Sequence, residues 1–68
     1  MNVRNAAEAQ AWVRCWPVGA RFRASVLRLA LESQRRLVRM CRCNGWTVRA
    51  DGHEAAAGVI EAAMGGAK

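Results

Sequence analysis

Four arginines, Arg28, Arg35, Arg39 and Arg42, follow one another at steps of seven, four and three. That spacing lines side chains down one side of an α-helix. A guanidinium is a planar fork of N–H donors that suits phosphate oxygens and carboxylates alike. Arg36 stands beside the stripe, and Arg21 and Arg23 alternate with apolar neighbours just upstream. From Arg21 to Arg42 seven arginines meet a single acid, Glu32, whereas basic and acidic side chains are equal in number outside that window. The formal net charge of +6 is therefore confined to one segment. Charge runs are usually solvated helix faces, but this self-repulsion exceeds what solubility requires. Such a ridge would sit against a phosphate backbone and release its counterions, or read guanine O6 and N7 from a major groove. The preference for Arg over Lys carries no weight, because a chain this rich in Ala, Gly and Arg fits a GC-rich coding sequence equally well.

Other chemistry is poorly supported. The sequence has no glycine-rich phosphate loop, no carboxylates paired at helical spacing and no nucleophile elbow, and 68 residues can scarcely build a catalytic cleft. An enzyme is not expected, nor is a cofactor. The lone histidine, His53, falls where a surface or capping residue is expected. Cys15, Cys41, Cys43 and His53 lack the usual spacing of a zinc knuckle, in which two residues separate paired cysteines. The cysteines read as small apolar side chains, with no metal expected. Trp12 and Trp16, four apart, have the spacing of a core stripe; Trp46, beside the Asn44-Gly45 turn, is the tryptophan best placed to stack on an unpaired base.

The elements that would position these groups follow from capping signals and periodicity. Asn5-Ala6-Ala7-Glu8 has the form of a capping box opening a helix from Ala6 to about Cys15, with Ala9, Trp12, Val13 and Trp16 on one side and Pro17 beyond its end. Ala20–Ala24 alternates like a short half-buried strand, which would carry Arg21 and Arg23. Ser25 is the expected cap of a long helix, Val26 to about Cys43. Its apolar face holds Val26, Leu27, Ala30, Leu31, Leu37, Val38 and Cys41, with Leu29, Ser33 and Met40 at the margin and the arginines opposite. Gly45 supplies a left-handed stop. Trp46–Ala50 alternates as a second strand. Asp51 to Glu54 reads as a second capping box, opening a helix from about His53 to Met64 that buries Ala56, Val59, Ile60, Ala63 and Met64, with Gly58 allowing a close neighbour. Residues 65–68 should fray.

The predicted fold class is a small, mainly helical α+β domain, ordered helix, short strand, long helix, strand, helix. Gln34 tests it, because a buried, unpaired amide costs about 1–3 kcal/mol. Either Gln34 finds a partner, its own copy in a dimer included, or the helix breaks near Ser33. In the second case the alternative is an all-α chain in which Val26–Glu32 and Gln34–Cys43 resemble the pair of a helix-turn-helix, with Arg35, Arg36 and Arg39 near the reading end. No glycine marks that turn.

Eighteen large apolar residues beyond Met1 support one small core, and self-association into a homodimer is the natural way to enlarge it. An odd cysteine count and an N-terminus, MNVRNAAEAQ, without a long apolar stretch point to a reduced, cytoplasmic protein. A membrane surface does not fit, since the long helix carries no aromatic anchor. The expected function is non-enzymatic binding of nucleic acid, DNA before RNA, as a regulator acting through Arg21, Arg23, Arg28, Arg35, Arg36, Arg39 and Arg42. The alternative is a small phage-type inhibitor or adaptor that binds an acidic, nucleic-acid-like surface of a larger protein.

Overall fold

A computed structural model describes residues 3–65. It contains three α-helices, α1 (Ala6–Arg14), α2 (Arg23–Cys43) and α3 (Thr47–Ala63), and no strand among the described residues. The α+β expectation is therefore overturned, and the all-α class stands. The break at Ser33 does not: α2 runs uninterrupted from Arg23 to Cys43, so there is no helix-turn-helix pair within it.

Both expected strands fail for one reason. An isolated pair of five-residue strands is marginal in water, and a helix or turn satisfies the same backbone N–H and C=O groups locally. At 46–50 the Ala50 N–H donates to the Trp46 carbonyl at 2.9 Å, closing the first turn of α3. Val48 then points to solvent at 84% exposure while Ala50 is fully buried. At 20–24 the Ala20 N–H donates to Pro17 and the Arg23 N–H to Ala20, winding the chain into α2. Arg21 accordingly lies in a turn, and Arg23 is the first residue of α2, not a strand residue.

Helix starts also move. Asn5 caps α1, its side chain accepting from the Glu8 N–H at 2.9 Å. Glu8 reaches one residue beyond the expected box and accepts from the Arg4 N–H at 2.7 Å. Ser25 caps nothing: α2 begins at Arg23, three residues before the expected start, behind Phe22, whose φ of 65° is left-handed. Asp51 lies inside α3, which starts at Thr47. The stop at Gly45 is present, with φ 73°. Of the tail expected to fray, residues 66–68 lie outside those described.

α2 and α3 pack antiparallel, since Arg42 meets Asp51 and Glu54 near the turn and Arg35 meets Glu61 a helix-length away. α1 packs on α3, and its C-terminal end is tied to α2 where Arg23 Nε donates to the Trp16 carbonyl at 2.7 Å. Val3, Ala9, Leu27, Ala30, Leu31, Ala56, Ala57 and Ile60 form the core, with Trp12, Val13, Val59, Ala63 and Met64 against it. Its alanines let helix axes approach closely. The segment before α1 packs tightly on α3 at Gly52, where an added methyl would overlap the Arg4 carbonyl oxygen. Gly58, expected to play that part, is exposed and has open space around it.

Gln34, 1% exposed, finds its partners within the chain. Its Nε2 donates to the Val3 carbonyl at 3.2 Å and its Oε1 lies 2.7 Å from His53 Nδ1. Because the Val3 oxygen can only accept, the amide nitrogen must face it and the amide oxygen must face the imidazole. His53 Nδ1 therefore carries the proton. Among the described residues, no helix is long and apolar enough to cross a membrane.

Candidate nucleic-acid interface

Burial of Leu27, Ala30, Leu31, Gln34 and Cys41 fixes how α2 is rotated. With about 100° between successive residues, Arg28, Arg36 and Arg39 project from the opposite side, and all three are exposed. Among the described residues none of them has a carboxylate within ion-pair distance. Glu32, on the same side, is the one acid between them.

The other expected site residues are used differently. Arg35 donates to Glu61 at 3.1 Å, and Arg42 binds Glu54 and reaches Asp51 at 3.7 Å. Both pairs are exposed, so each is worth little in stability, typically about 0.2–1 kcal/mol. Their effect is to hold two guanidiniums along the α2–α3 seam. Arg23 is half-buried with its Nε on the Trp16 carbonyl, which makes it a brace for α1. Arg21 is exposed, its guanidinium 5.1 Å from the Phe22 ring centroid. Trp46 is 45% exposed, with the Arg49 guanidinium 5.2 Å from its ring centroid, so one face is already covered by a cation. The seven arginines are therefore not one continuous ridge: Arg28, Arg36 and Arg39 form its exposed part, with Arg21 beyond the helix start.

The sequence reading missed two cations. Arg14 and Arg49 are exposed and have no carboxylate partner among the described residues. Adding charges along the chain balanced them against nearby acids, whereas in space those acids on α3 serve Arg35 and Arg42. The signal lay in helix pairing: once α3 runs antiparallel to α2 from residue 47, Asp51, Glu54 and Glu61 face the α2 arginines. His53 was also misread. It lines a concavity of about 570 Å³ with Arg4, Asn5, Val48, Arg49 and Gly52, and it is held from behind by Gln34.

Cys41 is buried, whereas Cys15 and Cys43 are exposed. Among the described residues no three His, Cys, Asp or Glu side chains are grouped to hold a metal ion. Compared with known proteins, the chain matches no family model, and neither a curated protein nor a solved structure shows significant similarity to it.

Proposed function

We propose that this chain is a small nucleic-acid-binding protein that docks the solvent face of α2 on a phosphate backbone. The supporting observation is the set Arg28, Arg36 and Arg39, three exposed guanidiniums on one rigid helix with no carboxylate partner among the described residues. A helix gives such groups a fixed separation, so each counterion released on docking adds to affinity without first ordering a loop. Arg21 extends the contact past the helix start, and Trp46 offers its half-exposed ring to an unstacked base. Arg35 and Arg42 contribute to the surrounding field and are not primary contacts, because a phosphate would have to displace Glu61 or Glu54 to reach them. Arg23 contributes through α1 packing.

Fluorescence anisotropy with random duplex and single-stranded DNA tests this reading. At about 50 mM salt, binding in the micromolar range or tighter is expected, weakening steeply as salt rises. Replacing Arg28 and Arg39 together with Gln should weaken it more than replacing Arg35 and Arg42 together. No binding at low salt rejects the proposal. Capture of one acidic protein by the same face would then favour an inhibitor or adaptor.

A further inference from the structure

Along the flank of α2 away from Arg35 and Arg42 lie Val26, Leu29, Ser33, Leu37 and Met40. Leu29 is 67% and Met40 48% exposed, and Val26, Ser33 and Leu37 are half-buried. Their steps are three, four, four and three, the spacing of a helix–helix seam. The order is also palindromic about Ser33. If a second copy is laid antiparallel with Ser33 on the two-fold axis, Leu29 comes level with Leu37 of the second copy and Val26 with Met40. The small serine at the centre allows the helices to approach.

The charges agree with this symmetry. Glu32 and Arg36 lie on the same edge of the stripe, about 60–100° around the helix from Ser33. A two-fold axis that reverses the helix keeps each edge beside its own copy. Glu32 then stands within about one turn of Arg36 of the second copy, and the pair occurs twice. Glu32 has no ion-pair partner among the described residues of a single chain. The flank is thus apolar, and its edge gathers two Glu32 and two Arg36 side chains, each Glu32 lying about 3 Å along the helices from Arg36 of the second copy and equally far from that copy's Glu32.

We propose that the chain forms an antiparallel two-fold dimer through this flank of α2. The dimer stands independently of nucleic-acid binding, but it refines that reading. Arg36 is shared with Glu32 of the second copy, and Arg28 of one copy comes level with Arg39 of the other on the same side of the assembly. The phosphate-facing surface then consists of four arginines from two chains, none with a carboxylate partner among the described residues. A stripe of five residues is small beside the area a stable dimer buries, so a weak, concentration-dependent dimer is expected.

Sedimentation equilibrium without nucleic acid, from about 10 to 500 μM, tests the proposal at concentrations suited to a weak dimer. A monomer–dimer equilibrium is expected, and a monomer throughout overturns the proposal while leaving the docking of the arginines intact. Leu29→Glu should weaken dimerisation at least tenfold with unchanged helical circular dichroism, since Leu29 is exposed; an unweakened dimer overturns the proposed face. Glu32→Arg should weaken it severalfold and Glu32→Arg/Arg36→Glu should restore it; failure of the swap to restore it overturns the charge register. Direction is read by oxidative crosslinking after Cys15 and Cys43 are replaced by Ser. Ser33→Cys should crosslink across the axis. Leu29→Cys should not, because the two copies of residue 29 lie about 12 Å apart along the axis, beyond disulfide reach. Efficient crosslinking through residue 29 overturns the antiparallel arrangement.

Discussion

His53 Nδ1 donates to Gln34 Oε1 at 2.7 Å, and the same amide donates to the Val3 carbonyl, so one buried side chain joins α2, α3 and the segment before α1. No buried side-chain nitrogen or oxygen among the described residues is left without a partner. A polar group at the centre of an apolar face is tolerable only on that condition.

Gln34→Ala should be among the most damaging single changes in the protein. It leaves the Val3 carbonyl and the imidazole without partners and opens space in the core, at about 2–4 kcal/mol. Urea unfolding followed by circular dichroism measures it. A loss below about 0.5 kcal/mol would show that the amide is not held as described.

His53 should be in the Nδ1–H form when neutral, which is the less common form in free histidine. Nitrogen shifts of the ring in a two-bond ¹H–¹⁵N spectrum distinguish the two tautomers. In Gln34→Ala the preference should be lost.

Gly52→Ala and Gly58→Ala make a matched pair. Both lie inside α3, where Ala is favoured over Gly by about 0.5–1 kcal/mol. Gly58→Ala should realise that gain because the space around it is open. Gly52→Ala should destabilise instead, since its methyl overlaps the Arg4 carbonyl oxygen. Equal effects on the unfolding midpoint would contradict the close packing of residue 4 on α3.

Phe22→Asn should leave stability unchanged or raise it by up to about 1 kcal/mol. Phe22 holds a left-handed φ of 65° while 67% exposed, and Asn adopts that conformation at lower cost. A clear loss would mean that its ring contact with Arg21 matters more than the backbone strain.

Each of Arg28→Gln and Arg39→Gln should reduce the slope of log affinity against log salt by about 0.9 for duplex DNA, with little change in stability. Arg42→Gln should lower the unfolding free energy by less than about 1 kcal/mol. If the slopes do not change, those residues are not the phosphate contacts.

Helix periodicity made much of the core legible: Ala9, Leu27, Ala30, Leu31, Cys41, Ala56 and Ile60 are buried as their spacing implies. The capping signal at Asn5 and the stop at Gly45 were equally readable, because each is a local backbone requirement. Trp46–Ala50 misled because alternation over five residues fits the start of a helix as well as a strand, and an isolated pair of such short strands is too marginal to hold the extended form. Starting α3 at His53 instead of Thr47 then hid the side of His53 that faces Gln34. At the candidate site, the exposed positions of Arg28, Arg36 and Arg39 were readable from α2 alone. The engagement of Arg35 and Arg42 was not, since it depends on α3 running back alongside α2.

The Val3–Gln34 bond joins residues 31 apart in the chain, whereas the α2–α3 hairpin is closed by a short turn. Contacts that are near in sequence form first, so the hairpin should assemble before Val3 is captured. During vectorial synthesis the N-terminal segment emerges early yet must wait for α2 and α3 to leave the ribosome. Until then the Gln34 amide is still hydrated, so capture of Val3 is expected late in folding.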